Sequence, residues 1–229
     1  MDAITKRWEE IQRKISEACR RSGRDSSEVN VVAVTKYVNR ETTRRALDIG
    51  LHHIGESRVQ EAVPKWEELG DRGEWHFIGH LQRNKVKAVV GRFTYLHSLD
   101  RLSLAKELNR RCEQDGRPMG CFLQVNVSGE DSKHGLKPDE LLDFAREVAQ
   151  MPYIRLEGLM TMAPYAENPE EVRPVFRRLK SLQSELREMG DPRLKVPHLS
   201  MGMSNDYEVA VEEGATYLRL GSALVGRDF

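Results

Sequence analysis

At the head of the chain, Ile4, Trp8, Ile11, Ile15 and Cys19 recur at helical spacing, and Gly23 follows where the run must end. That pattern predicts an amphipathic helix ahead of everything else. From Val31 the pattern changes: Val31 to Thr35 is a short β-branched run without polar alternation, as expected of a strand covered on both faces in a parallel sheet. The same unit of apolar stretch, turn and helical stretch then recurs roughly every 25 residues, the rhythm of βα repeats. Eight strands are expected: Val31 to Thr35, Leu51 to Gly55, Trp75 to Ile78, Phe93 to His97, Cys121 to Val127, Arg155 to Met160, Val196 to Leu199 and Thr216 to Leu220. The clearest helices run from Pro138 to Gln150 and up to Met189-Gly190. Pro138 and Pro169 suit first-turn positions, whereas Pro174 marks either the start of the long helix or a kink in it.

Eight βα units in 229 residues, with no Pro/Gly/Ser-rich linker, favour a single (β/α)8 TIM barrel domain over 1–229 with an extra N-terminal helix; an open doubly wound sheet is the alternative. No GxGxxG follows the first strand and no GxxxxGK[ST] occurs, so the two common nucleotide-binding signatures are missing. The 36 basic residues cancel 36 acidic ones, which removes the electrostatic footprint that would make nucleic acid or an anionic membrane the default partner. Cys19, Cys112 and Cys121 are odd in number and lack CxxC spacing, against a disulfide framework or a zinc ribbon. The charged amino terminus has no secretory h-region, and no apolar run approaches the roughly 18 residues of a membrane helix. A cytoplasmic protein is expected, and the glycosylation triplet at Asn126-Val127-Ser128 is read as incidental.

In such a barrel the chemistry gathers at the C-terminal ends of the strands. The first strand runs directly into Lys36, placing an amine at the barrel mouth with apolar residues behind it. Desolvation there would favour the neutral, nucleophilic amine that condenses with an aldehyde or ketone; otherwise Lys36 is a strand-end lysine in solvent. Ser200-Met201-Gly202-Met203-Ser204 follows strand seven, with small residues and free N–H groups that suit an anion, and Ser204 is expected to N-cap a helix opening at Asn205. Gly221-Ser222 closes strand eight, so the two turns would adjoin in a closed barrel and form the recurrent phosphate site of this fold; otherwise they are ordinary turns. Arg219 shares a strand face with Gly221 and points inward, towards either a ring nitrogen or carboxylate of a ligand, or an internal salt bridge. Lysine, phosphate cradle and arginine together describe a site for pyridoxal 5′-phosphate.

With VVAVTK, IGESRVQEAVPK, WHFIGHLQRNK, LQVNVSGEDSKHGL, GLMTMAP, LSMGMSNDYEVAVEEGA and LRLGSALVG in this order, the whole chain resembles the pyridoxal phosphate homeostasis protein family. The resemblance implies a barrel similar to the N-terminal domain of alanine racemase. It also implies Lys36 as the imine-forming lysine, Ser200, Met201, Gly221 and Ser222 at the phosphate, and Arg219 at the ring nitrogen. The family usually reads GEN where this chain has Gly55-Glu56-Ser57, which puts an asparagine-type contact in doubt.

The expectation is a protein that stores, buffers or delivers the cofactor, to pyridoxal phosphate-dependent apoenzymes among others, without strong turnover. Racemases of the alanine type add a β-rich domain with a tyrosine base, absent before the sequence stops at Phe229; a monomer is therefore expected. The alternatives are an amino-acid racemase, with Tyr37, Tyr165 or His80 as candidate bases, and a lysine aldolase without pyridoxal. His76 and His80 in HFIGH would lie roughly 13 Å apart on a strand, too far for one metal. His52 and His53 point to opposite faces, and Gly202-Met203-Ser204 lacks the full nucleophile-elbow pattern.

Overall fold

The structure is a computed structural model and describes residues 2–130 and 134–227. Its strands are β1 (Asn30–Val34), β2 (His53–Glu56), β3 (Glu74–Phe77), β4 (Tyr95–Leu99), β5 (Met119–Gln124), β6 (Ile154–Met160), β7 (His198–Ser200) and β8 (Tyr217–Leu220). Its α-helices are α1 (Ala3–Ser22), α2 (Arg40–Asp48), α3 (Val59–Leu69), α4 (Val86–Val89), α5 (Leu102–Asp115), α6 (Leu141–Val148), α7 (Arg173–Glu188) and α8 (Tyr207–Glu212). All neighbouring strands are parallel, and β8 returns to β1 with Val32 beside Arg219, so the expected barrel is closed.

Closure separates two cores. Val31, Ala33, Leu96, Leu199, Leu218 and Leu220 face outward and join the apolar sides of the helices in a continuous outer core. Alternate residues face inward, where Val32, Phe122, Met160 and Tyr217 form a small inner cluster flanked by Tyr95 and Met162. The strands look apolar throughout because the outward positions supply most of the aliphatic character. The inner layer is instead filled by aromatic and imidazole rings, including His76 stacked on Tyr95 and His97 stacked on Phe122.

The predicted helix at the amino terminus is α1, which buries Ile4, Ile11 and Ile15 and ends at Gly23 in the left-handed conformation. It packs on α8 through Lys14 and Arg21, which pair with Glu208 and Glu212. Arg7 Nε donates to the Leu224 carbonyl at 2.8 Å, tying α1 to the turn that follows β8. Among the described residues no helix is long and apolar enough to cross a membrane.

The differences from the expected boundaries have local causes. Strand seven begins at His198 because Val196 holds φ at 35° and Pro197 lacks an N–H for the ladder. Strand five runs from Met119 to Gln124; beyond it Val125 N–H donates to the Met160 carbonyl at 2.8 Å and Val125 forms an isolated bridge to Leu136. Pro174 stands in the first turn of α7 and does not kink it. Pro169 opens a short 3-10 turn, whereas Pro138 precedes α6, which starts three residues later at Leu141.

Gly158 is set by steric contact: a Cβ there would lie 2.0 Å from the His198 backbone oxygen on the neighbouring strand. Because backbone cannot swing aside, Gly158→Ala is expected to cost about 3 kcal/mol, the upper end of overpacking penalties, read as a lower urea midpoint.

Candidate functional site

The C-terminal ends of the strands open onto a cavity of about 450 Å³, within the size range of small-molecule sites. Lys36 follows β1, Ser57 follows β2, and Gly79 and His80 follow β3 around its rim. Met203, Ser204 and Asn205 enter from the turn after β7, and Arg219, Gly221 and Ser222 from the end of β8. Lys36, Arg219, Gly221 and Ser222 are thus brought to one cavity.

Lys36 is half-buried, with Nζ 4.9 Å from the centroid of the Tyr37 ring. The residue before it is clamped. Thr35 N–H donates to the Gly55 carbonyl at 3.0 Å, its hydroxyl donates to Glu56 Oε1 at 2.5 Å, and its carbonyl accepts from Lys65 Nζ at 2.6 Å. Lys65 also pairs with Glu56 at 2.8 Å, and both side chains are buried. Burial pushes the Glu56 carboxyl up, against the opposing pull of Lys65 and the Thr35 hydroxyl. Glu56 Oε2 has no partner among the described residues. Neither Glu56 nor Lys65 was singled out from sequence. The available signal was a carboxylate inside the apolar strand IGE, with a lysine nine residues on in the helix beside it.

Arg219 is buried and points inward. Its Nη1 donates to Ser200 Oγ at 2.5 Å and its Nη2 to the Thr161 carbonyl at 2.9 Å. Both acceptors are neutral, and among the described residues Arg219 has no ion pair, which removes the internal salt bridge as its explanation. Burial pulls the guanidinium down to about 10, opposed by Asp206, so it remains cationic at neutral pH. A buried cation lining a cavity with only neutral partners suits a ligand that offers an acceptor.

The two small-residue turns adjoin as expected. Gly202 holds φ at 97°, and a Cβ there would lie 2.7 Å from Ala210 Cβ, so the turn after β7 needs glycine on both counts. Ser204 does not cap a helix at Asn205. The helix α8 opens at Tyr207 with Asp206 in the cap position, and Asp206 turns back to accept from the Met203 N–H at 2.7 Å. That leaves the Ser204 hydroxyl to accept from the Ala223 N–H at 3.3 Å, bridging the two turns. The N–H groups of Ser204, Asn205, Gly221 and Ser222 have no protein acceptor among the described residues, so two adjoining turns present unpaired donors suited to an anion.

Ser200 and Met201 are placed differently from Gly221 and Ser222. Both are fully buried beneath the turns and do not line the cavity. Ser200 Oγ is engaged by Arg219 and by His97 Nδ1 at 2.8 Å, and the Met201 N–H donates to the Tyr217 carbonyl at 3.2 Å. Ser57 stands on the cavity wall at the position in doubt. Of the three candidate bases, Tyr37 and His80 line the cavity, whereas Tyr165 is 82% exposed away from it.

His76 and His80 fall in different places, as their strand spacing implied. His80, Asp100 and His134 gather at the mouth, and His53, Glu74 and His76 gather at the other end of the barrel; in each group the donor atoms lie within 4.8 Å of one another.

The alanine racemase N-terminal domain family matches residues 2–228. The chain belongs to this family. Within it, the chain is 43% identical over 221 residues to a pyridoxal phosphate homeostasis protein of Aquifex aeolicus, covering 96% of each. It is 40% identical to another of that description from Pseudomonas aeruginosa, covering 100% of this chain and 98% of the relative. Among solved structures, it is similar to PipY of Synechococcus elongatus with pyridoxal phosphate bound, at TM-score 0.81 and 34% identity over 93% of this chain and all 100% of that one. A Clostridium difficile alanine racemase shares the fold at TM-score 0.73 and 15% identity, and this chain spans 54% of its length.

Proposed function

We propose that residues 1–229 form one pyridoxal 5′-phosphate-binding domain that stores, buffers or delivers the cofactor without strong catalytic turnover. The observation that carries this reading is the convergence, on one cavity, of an amine after β1, an arginine from β8 with no ion pair among the described residues, and two turns whose N–H donors are unpaired among those residues. Lys36 offers its amine to the carbonyl carbon, the N–H groups of Ser204, Asn205, Gly221 and Ser222 hold the phosphate, and Arg219 donates to the ring nitrogen. Ser200 and Met201 act from beneath, Ser200 through Arg219 and Met201 as the floor of the turn. When bound, the cofactor supplies an electrophilic carbonyl conjugated to an aromatic ring.

Arg219 decides what the site does with that ring. A guanidinium donates and never accepts, so Arg219 keeps its own protons and leaves the ring nitrogen unprotonated, which weakens carbanion chemistry. The cavity is also open: Tyr37 is 43% exposed, and Asn205 and Ser222 are exposed at its rim. Solvent and incoming amines can reach Lys36, as reversible release to a recipient requires. The protein works in the cytoplasm as a monomer, with pyridoxal phosphate-dependent apoenzymes as recipients and no nucleic acid or membrane partner.

Protein loaded with pyridoxal phosphate and mixed with an apoenzyme should lose its visible absorbance while the apoenzyme gains activity; retention of the cofactor overturns the delivery role. The racemase reading keeps two candidate bases on the cavity, Tyr37 and His80. It predicts exchange of an amino acid's α-hydrogen with solvent deuterium at catalytic rates, whereas the present reading predicts only slow exchange.

A further inference from the structure

The barrel interior contains a chain of polar groups that the cavity itself does not display. Ser200 Oγ, which accepts from Arg219 Nη1, lies 2.8 Å from His97 Nδ1. His97 Nε2 lies 2.8 Å from His76 Nδ1, and His76 Nε2 lies 3.0 Å from His53 Nδ1. Ser200, His97 and His76 are completely buried, while His53 is partly exposed at the N-terminal end of β2, with Glu74 3.4 Å from its Nδ1. The chain therefore crosses the barrel from the cavity to its opposite end.

Its direction follows from the arginine. Arg219 can only donate, so Ser200 Oγ accepts from it, and the remaining described partner for the serine's own proton is His97 Nδ1. His97 then carries its proton on Nε2 and donates to His76 Nδ1, and His76 carries its proton on Nε2 and donates to His53 Nδ1. The reverse order would leave the Ser200 hydroxyl proton buried without an acceptor among the described residues, the costlier arrangement. Stacking of His76 on Tyr95 and of His97 on Phe122, with Tyr217 against both, holds the ring planes. Burial pushes both imidazoles well below their ordinary range, in keeping with neutral rings.

We propose that Ser200, His97, His76 and His53 form a one-directional hydrogen-bond relay, and that His97 is a positioning residue which, through Ser200, fixes the Arg219 guanidinium facing the cavity. The proposal rests on the cofactor reading only for the ligand that Arg219 meets; the tautomers are independent of it.

Long-range proton–nitrogen NMR of the 15N-labelled full chain at neutral pH, without added cofactor, reads the tautomers directly. His97 and His76 should each show a protonated Nε2 and a bare Nδ1, and His53 a bare Nδ1. A proton on Nδ1 of any of the three overturns the relay. So does a bare Nε2 on His76, as a metal shared by His53, Glu74 and His76 would require. Positioning is tested by titrating S200A, S200T and H97F with pyridoxal phosphate. S200A and H97F should each weaken uptake by about tenfold, the lower end of losses from removing an orienting partner, and S200T should restore it. Unchanged affinity in both S200A and H97F overturns the positioning role. Should the unaltered protein take up no pyridoxal phosphate, the cofactor reading falls, and the relay is decided by the NMR spectrum.

Discussion

Lys36→Ala should abolish covalent uptake of pyridoxal phosphate: the visible absorbance expected of the unaltered protein should be missing, and borohydride should fix no cofactor to the chain. The expected loss is complete because the described lining of the cavity holds no second lysine. Lys36→Arg should behave the same way, since a guanidinium keeps its positive charge but offers no nucleophilic amine. Weak non-covalent binding should survive in both variants, because the turns at Ser204 and Ser222 and the Arg219 guanidinium are untouched. An absorbance titration followed by mass spectrometry of the borohydride-treated protein separates the two contributions. Retention of the same visible band in Lys36→Ala removes Lys36 from its role.

The second large effect lies beneath that lysine. Lys65→Met leaves the Glu56 carboxylate buried without its counter-ion and takes the donor from the Thr35 carbonyl, next to Lys36. Breaking a buried pair on one side costs about 3–5 kcal/mol, which urea denaturation should register as a large fall in midpoint. The pH dependence carries a definite sign. Burial already raises the Glu56 carboxyl above its ordinary value, and Lys65 and the Thr35 hydroxyl oppose that rise. With Lys65 gone the carboxyl rises further, so the folded state favours the protonated acid more than the unfolded chain does. A group raised on folding contributes stability at low pH and loses it as pH climbs through its folded value. The deficit of Lys65→Met should therefore be smaller at pH 5 than at pH 8, and Glu56→Gln combined with Lys65→Met should recover much of it. A deficit that does not change with pH would show that the cost comes from packing and not from the stranded charge.

Both effects meet at Thr35, the residue that fixes the backbone from which Lys36 extends. Three groups from β2 and α3 hold this residue, so the backbone that presents Lys36 is set by the wall of the barrel, and the half-buried Lys36 side chain lines the cavity. On the opposite side of the seam, β8 runs beside β1, and Arg219 pairs in register with Val32. Closure of the sheet is what puts the first and last strands side by side.

The pattern of apolar positions was enough to find the amino-terminal helix, the strand count and the barrel, because side-chain periodicity records which face of each element must leave water. It was also enough to put Lys36 at a strand end and Arg219 on the same face as Gly221, since both facts depend on neighbours in sequence. Tertiary structure decided the partners. His97 and Ser200, separated by 103 positions, meet at 2.8 Å only because β4 and β7 face each other across a closed interior. The same geometry buries Ser200 and Met201 beneath the turns, gives Ser204 to the neighbouring turn instead of a helix, and joins Glu56 to Lys65. Hydrogen bonds and ion pairs act over a few ångströms, whereas a linear pattern specifies direction and leaves the distance between remote residues to the packing of the fold.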